Sequence, residues 1–407
     1  LFSRSTNCGQ TWSAPKALST GSRLVQNAQI AVSPTDGAVY VSWRCIKYLT
    51  QDDAIMVVKS VDGGATFGKV LRVSGVRPFD QITKATQFRS IGFQTMAIDG
   101  TGRVYLAWPD RGYAPLRPDP VTGDSRIVLS TSTTGATWTV PRAIQPAGIA
   151  HQLMPALTFH GGKLRLLYYD LREDVSGLFS DFIDEQPILD GAPPRVRHTL
   201  DAFVAQALPG SAPVFTTARV SDYARGFMPG STIEERLQFN PPNLPLFRQG
   251  FVPFMGDYID LAPAPPFVLN DAGAWVYNTA PSGSVVSHAF WTDNRDVRPP
   301  ADGNWANYTP VTSEAGGTVS RFDPTKPVPS CLPGQAGMRN QNVYTARVTD
   351  GLFVSAPGNT KPFNGFQRAF VIVAENASAV PRTYRLRIEN QPFGGQASFL
   401  QFGPALT

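Results

Sequence analysis

Short apolar segments recur along the chain in a way that is typical of an all-β protein. Four of them end near an aromatic residue: VYVSWR at Trp43, VYLAWPDR at Trp108, LRLLYYDLR at Tyr168 and SHAFWTDNR at Trp291, which are 65, 60 and 123 positions apart. Each is continuously apolar or alternates, as buried strands do. Further short apolar runs precede and follow them, so the pattern predicts a repeating unit of four antiparallel strands.

An eight-residue repeat separates the third and fourth strands of this unit. The best copy is residues 60–67; the others are 5–12, with Asn7 in place of aspartate, and 131–138, with Thr133 there. Short oxygen-bearing side chains accept hydrogen bonds from turn amides, and glycine adopts positive φ, so each copy predicts a tight hairpin turn. The residues to which we assign this structural role are Ser60, Asp62, Gly64, Thr66, Phe67, Asn7, Gly9, Trp12, Gly135 and Trp138.

This repeat resembles the Asp-box, or BNR repeat, of sialidase-like β-propellers. The resemblance implies an all-β propeller of about six blades, four to five of them in this chain, with about 50 residues and four strands in each blade. The predicted units follow a partial blade at the start of the chain and span about 24–75, 90–146, 150–220 and 252–350. We therefore predict an Asp-box propeller over residues 1–355 that is incomplete at its N-terminus.

The pattern changes after about residue 362. The runs AFVIVAEN and TYRLRIEN alternate and are joined by a polar turn, which resembles the start of a bacterial Ig-like β-sandwich over 363–407, incomplete at its C-terminus. Long insertions rich in proline and glycine occupy 223–250, 261–284 and 297–340. Loops of such length in a compact domain are usually functional or mobile.

Composition narrows the class of protein. Glycine and proline each occur 36 times in 407 residues and charged residues are only 16%, which disfavours a helical protein, while 42% hydrophobic residues exclude general disorder. No apolar run reaches the ~20 residues of a membrane span. The net charge of +5 is not gathered into a basic run, so we expect no nucleic-acid partner. The cysteines, Cys8, Cys45 and Cys331, lack metal-binding spacing.

Pairs of aspartate and arginine follow three of the second strands and are the first candidates for binding a substrate. Planar guanidinium groups match carboxylates bidentately, and the family resemblance implies three arginines that clamp a sugar carboxylate. The opposing interpretation is that a pair repeated from blade to blade is a scaffold bridge. The candidate substrate-binding residues are Asp110, Arg111, Arg172, Asp293 and Arg295, together with His151 and Gln152 at the entry of an inner strand.

The candidate catalytic residues are Asp170, Glu173, Asp257 and Tyr258. Glu173 extends the pair at Asp170 into an acidic cluster, in which neighbouring carboxylates could raise one pKa as a general acid requires. A solvated acidic loop, or a Ca²⁺ site as the one possible cofactor, is the alternative for this cluster. Packing at the channel rim is the alternative for Asp257, Tyr258, His151 and Gln152.

Two functions follow. The first is a secreted, sialidase-like glycoside hydrolase acting on terminal sugars; the second is a non-catalytic propeller that binds glycan or protein within a larger surface protein. The Phe/Tyr-Arg-Ile/Leu-Pro phrase of sialidases is absent from the sequence and no Tyr–Glu pair can be assigned, which favours the second. We expect a glycan or glycoprotein partner and a bacterial location outside the cell or at its surface. The sequence leaves the oligomeric state open.

Overall fold

A computed structural model describes the chain over several ranges, and every structural statement below refers to them. They are residues 1–19, 24–46, 53–79, 92–121, 123–145, 150–173, 200–223, 225–227, 234–236, 256–263, 267–277, 286–295, 342–349, 352–355 and 373–376, with single residues at 90, 148, 232, 240, 383, 388, 396 and 398. Within these ranges the secondary structure is entirely β, without a helix, and no helix there is long and apolar enough to cross a membrane.

The first sheet lies inside the predicted unit 24–75. Its strands are β1 Val25–Val32, β2 Val39–Cys45, β3 Ala54–Ser60 and β4 Leu71–Gly75, each antiparallel to the next. Valine, isoleucine, tyrosine and tryptophan supply seven of the fourteen residues of β2 and β3, and such β-branched and aromatic residues pack well on a pleated surface. Residues 1–19 lie against this sheet, with one antiparallel bridge between Phe2 and Lys16.

The second and third sheets repeat this order of strands. The second consists of β5 Thr95–Ile98, β6 Val104–Asp110, β7 Arg126–Ser132 and β8 Arg142–Ala143. The third consists of β9 Gln152–His160, β10 Lys163–Asp170, β11 Asp201–Ala207 and β12 Thr216–Arg219. Both lie within the units predicted from the sequence.

Two small hairpins and a larger sheet complete the described strands. The first hairpin pairs β13 Arg225–Phe227 with β14 Glu234–Arg236, inside the predicted insertion 223–250. The next strand is β15 Asp260–Pro263, and a second hairpin in the insertion 261–284 pairs β16 Phe267–Leu269 with β17 Trp275–Tyr277. The remaining strands are β18 Val286–Asp293, β19 Asn342–Thr349, β20 Leu352–Ser355 and β21 Val373–Asn376. The fourth sheet has the order β15-β18-β19-β20-β21.

Strand β21 has a different place from the one expected for it. It belongs to the segment 363–407 that resembles a separate β-sandwich, yet it pairs antiparallel with β20 as the fifth strand of the fourth sheet. Most of the remaining segment lies outside the described residues, so the sandwich stays a prediction.

Successive sheets pack face to face around their first strands. Strand β1 contacts β5, β5 contacts β9, and β9 contacts β15. Separate apolar clusters fill the spaces between neighbouring sheets, and a further one lies between the first sheet and residues 1–19. This is the arrangement of blades in a β-propeller. The second strands β2 and β6 are buried along their whole length because another layer covers each of their faces.

Candidate functional site

The turns of the eight-residue repeat lie at one end of the sheets and satisfy their own polar groups. In the copy 60–67 the Asp62 carboxylate accepts hydrogen bonds from the Thr66 amide at 2.8 Å and the Thr66 hydroxyl at 2.5 Å. The Ser60 hydroxyl donates to Asp62 at 2.7 Å and accepts from the Gly64 amide at 2.8 Å. These bonds hold the pKa of Asp62 below its ordinary value. Asp62 is therefore occupied by its own turn, while the Phe67 ring packs edge-on against Phe2.

The first copy of the repeat keeps the bonds from the turn amides with asparagine in place of aspartate, while the Asn7 side-chain NH2 donates to the Thr11 hydroxyl. The Asn7 side-chain oxygen accepts from the Thr11 amide at 2.9 Å, and the Ser5 hydroxyl accepts from the Gly9 amide at 2.8 Å. Trp12, at the end of this copy, is exposed. Because an amide oxygen accepts these bonds as a carboxylate oxygen does, asparagine can replace aspartate without altering the backbone of the turn.

The third copy requires a correction to the sequence alignment. Thr133 was placed at the aspartate position, but Thr134 has that role: its hydroxyl oxygen accepts from the amides of Ala136 and Thr137, at 3.1 and 3.4 Å. Ser132 likewise acts as Ser60 does, since its hydroxyl accepts from the Gly135 amide at 2.7 Å. The turn is one residue shorter between serine and glycine, which a fixed eight-residue template does not register. Trp138 closes it, donating its ring N–H to the Gly135 carbonyl at 3.2 Å.

The opposite end of the sheets, where β2, β6, β10 and β18 end, carries the Asp–Arg pairs; we call it the strand-end face. In the fourth sheet, Asp293 accepts from the Arg295 amide at 2.8 Å and from the Arg295 guanidinium at 2.6 Å. It also accepts the Trp291 ring N–H at 3.1 Å. The Arg295 guanidinium lies 3.9 Å from the centre of the Tyr344 ring. Asp293, Arg295 and Trp291 are buried and Tyr344 is half-buried, so this pair holds the end of β18 in place.

The pair in the third sheet has a similar geometry but a more open arginine. Asp170 is fully buried and accepts from the Arg172 amide at 2.7 Å and from its guanidinium at 2.8 and 2.5 Å. Arg172 also donates to the Tyr168 hydroxyl at 3.0 Å and lies 4.3 Å above the Phe203 ring. Its side chain remains 23% exposed. Asp170 is closed to solvent, whereas Arg172 is held in one orientation with part of its surface open.

In the second sheet, the Asp110 carboxylate and the Arg111 side chain have described contacts with other residues. Asp110 accepts from the Arg77 amide at 2.8 Å and from the Trp108 ring N–H at 3.1 Å, while Arg111 donates to the Val121 carbonyl. Burial is the main cause that raises the pKa of Asp110 to about 6. The Arg111 guanidinium lies 4.9 Å from the centre of the Phe79 ring.

His151 and Gln152, predicted at a channel rim, are both fully buried between the second and third sheets. The His151 ring stacks on Phe79 with 4.0 Å between ring centres and accepts the Ser125 amide at 3.1 Å. Burial and nearby arginines hold its pKa well below the ordinary value, so the ring is neutral. Gln152 donates to Asp170 at 3.0 Å and accepts from the Ile127 amide at 3.1 Å. Neither side chain offers a surface to a ligand, which favours the packing interpretation.

Three groups of the strand-end face are partly or fully open. Glu173, 36% exposed, pairs with Arg219, which is 23% exposed and lies 3.8 Å from Asp222. Tyr258 is 79% exposed, next to the partly exposed Asp257. Glu173 and Arg172, which are neighbours in the chain, therefore lie at the same face. Among the described residues no cluster of three His, Cys, Asp or Glu side chains is suited to a metal ion.

One buried ion pair was missed by the sequence analysis. Arg44, directly after Trp43, pairs with Asp53 at the start of β3 and donates to the Gly92 carbonyl at 3.1 Å. The sequence did contain a sign of this pair, because an arginine follows the aromatic residue near the end of the second strand here as it does in the other units. Its acid, however, lies on the next strand rather than beside it, and spacing along the chain does not show that contact.

Comparison with known proteins gives similarities in fold at low identity. No family model matches the chain, and no curated protein sequence matches it. A Hadza microbial sialidase is 11% identical with a TM-score of 0.35, over 68% of this chain and 55% of that one, so the match spans about half of that sialidase. The α-L-arabinanase of Penicillium chrysogenum, complexed with arabinobiose, is 12% identical with a TM-score of 0.38, over 70% and 79%. The endosialidase of phage phi92 is 9% identical with a TM-score of 0.36, over 91% and 45%.

Proposed function

We propose that this protein is a bacterial propeller protein, located outside the cell or at its surface, that binds acidic glycans at the strand-end face. The observation that supports the proposal is the state of Arg172. Its guanidinium is fixed by Asp170, Tyr168 and Phe203, while the Arg172 side chain remains 23% exposed. An arginine fixed in this way presents unused N–H groups to a planar carboxylate with little loss of side-chain entropy.

The buried pairs have a supporting role in this proposal. Their aspartates are buried and hydrogen-bonded to neighbouring side chains: Asp170, Asp293 and Asp110. A ligand would therefore have to displace packed side chains to reach them. Fixed charges beneath a face orient the groups above them, as Asp170 orients Arg172. The clamp of three arginines implied by the family resemblance stays a prediction, since Arg111 and Arg295 are buried.

Binding is tested with the full chain by calorimetry against a sialylated and a neutral form of the same oligosaccharide. Only the sialylated form is expected to bind. Arg172→Lys retains a cation beside Asp170 but loses the bidentate fork, so the affinity is expected to fall about tenfold or more. Arg142→Lys, at an exposed arginine of β8, is the matched control and leaves the affinity unchanged. Equal affinity for both sugars, or equal effects of both variants, contradicts the proposal.

Glycoside hydrolysis is the second candidate, and the observation in its favour is Glu173. It is an accessible carboxyl on the same face as Arg172, which is where a group acting on a bound acidic sugar would lie. The measurement is release of the fluorophore from a fluorogenic sialoside. Glu173→Gln is expected to remove hydrolysis while leaving binding of the uncleaved sugar within a few-fold. If the parent binds sialosides but releases no product, the protein is a binding module only.

A further inference from the structure

Five charged side chains of alternating sign link the second and third sheets at the strand-end face. Arg117 lies in the connection between β6 and β7, and its guanidinium is 3.1 Å from the carboxylate of Asp124. Arg126, the first residue of β7, interacts electrostatically with both Asp124 and Asp170. Asp170 in turn accepts hydrogen bonds from Arg172. We call this set the charge row: Arg117, Asp124, Arg126, Asp170 and Arg172.

The middle of the charge row is buried, whereas its two ends are partly exposed. Asp124 and Asp170 are fully buried, and Arg126 is 1% exposed. The side chains of Arg117 and Arg172 are 34% and 23% exposed. Solvent therefore reaches the charge row at an arginine on each end.

The central arginine draws on both carboxylates of the row. The Arg126 guanidinium donates hydrogen bonds to the Ala150 carbonyl at 3.0 Å and to the Gly148 carbonyl, which are both neutral acceptors. Burial is the main cause that lowers the pKa of Arg126, and the carboxylates of Asp124 and Asp170 act against that shift. Each carboxylate is thus shared between Arg126 and the arginine at one end. Three guanidinium groups in the row have two carboxylates between them, so a further anion at either open end is attracted.

We propose that Arg117 is a second acid-binding arginine of the strand-end face, and that the preferred ligand is an oligosaccharide with two acidic sugars. This inference rests on the proposed binding of acidic glycans at Arg172 and extends it. Each open arginine presents a planar fork of N–H groups that matches one carboxylate. Arg172 is held by more side chains than Arg117, so a glycan with a single acid binds at Arg172. In a glycan with two acids, the second carboxylate binds Arg117.

Calorimetry with the full chain measures this, using one oligosaccharide core that carries no sialic acid, one, or two in succession. The parent is expected to bind the two-acid sugar about tenfold or more tightly than the one-acid sugar, since a second charged hydrogen-bonding contact forms within the same ligand. Two alternative placements of that sugar on a single arginine account for a gain of only about twofold.

Arg117→Gln removes the charge and the fork while Asp124 keeps its interaction with Arg126. We expect it to abolish the advantage of the two-acid sugar and to leave affinity for the one-acid sugar within about twofold of the parent. That retained affinity also shows that the variant folds. Arg103→Gln is the matched control, because Arg103 is partly exposed at the opposite end of the same sheet, directly before β6. It is expected to leave both affinities unchanged.

The outcomes separate this inference from the proposal beneath it. A parent that binds both acidic sugars equally well overturns the role of Arg117 and leaves acidic-glycan binding at Arg172 standing. An equal loss of affinity for both sugars in Arg117→Gln also overturns it, because both arginines then serve one carboxylate. A parent that binds neither acidic sugar contradicts the proposed function itself, and the second site fails with it.

Discussion

The two ends of the sheets are stabilised by different kinds of interaction, local hydrogen bonds at one end and buried ion pairs at the other. At the turn end, Asp62 bonds to Ser60 and Thr66, all within one turn and largely in water. At the strand-end face, Asp293 and Arg295 are buried, and Arg295 also donates to the Asp222 carbonyl, 73 residues away, at 2.5 Å. Both sets recur from sheet to sheet. Recurrence in a repeat protein therefore marks support of the fold, whether its bonds are local or long-range.

The difference in environment predicts a difference in cost. A solvated turn that loses one bond regains it from water, whereas a buried charge that loses its partner has no replacement. Substitutions at the strand-end face should therefore lower the free energy of unfolding more than substitutions in the turns, except where a turn is itself covered by a neighbouring sheet.

The largest expected effect is that of Asp293→Ala. This change leaves the Arg295 guanidinium and the Trp291 ring N–H buried without their carboxylate. Breaking a buried pair on one side costs about 3–5 kcal/mol of the free energy of unfolding. Urea denaturation followed by tryptophan fluorescence measures it.

Asp170→Ala is the matched change at the third sheet. Its arginine is 23% exposed whereas the side chain of Arg295 is 1% exposed, so water can solvate the cation left behind. Its cost is expected to be smaller than that of Asp293→Ala. Equal losses would show that burial of the arginine does not set the cost.

The next effect is a pH dependence caused by Asp110. Burial raises its pKa in the folded protein to about 6, against 3.8 for the free side chain. The folded state therefore binds the proton more tightly, and this group's contribution to stability is present below pH 4 and is lost as the pH rises through 6. The loss amounts to up to about 3 kcal/mol.

Comparison with Asp110→Asn isolates this contribution. The histidines act in the opposite sense, since the pKa values of His151 and His160 are lowered in the folded state and their protonation destabilises it below pH 6.5. Between pH 4 and 7.5 the variant should gain stability relative to the parent as pH rises. A difference that stays constant across this range is the contrary result.

The smallest effect distinguishes covered from uncovered turns. Gly135→Ala places a methyl group against the Tyr40 ring at a residue with φ +77°, so it combines a clash with backbone strain and should cost about 2–3 kcal/mol. Gly9→Ala has the strain, at φ +84°, without the clash, and should cost about 1–2 kcal/mol. Thermal unfolding of the two variants under identical conditions gives the order, and the reverse order contradicts this description of the turns.

Much of the fold could be predicted because its signals are local. The apolar runs that end at Trp43 and Trp108 became β2 and β6, and the turn bonds of Asp62 lie within five residues of the chain. The role of Thr134 was missed because the third turn is one residue shorter, so its hydrogen-bonding residues no longer fall at the positions expected from the other two copies. The pairing of β21 with β20 was missed because alternation predicts a strand and not its neighbour.

The candidate site was less predictable, since access depends on what lies above a residue. The sequence marked Asp170 and Arg172 as neighbouring charges, but only the structure distinguishes a buried aspartate from a partly exposed arginine side chain. His151 was selected as a polar group at a strand entry, and the ring of Phe79 that encloses it comes from 72 positions earlier. Neither the burial of His151 nor its contact with Phe79 can be inferred from the spacing of residues along the chain.

The sequence by itself determined most of the strands, the grouping in fours of the first three sheets and the hydrogen bonding of the first two turns, because periodicity and short-range hydrogen bonds act between near neighbours. The tertiary structure alone decided which charges are enclosed and which arginine side chain is partly exposed. Those properties depend on layers that meet across long stretches of chain, where the free energy of burying a charge or an apolar face is set by the contact and not by the order of residues.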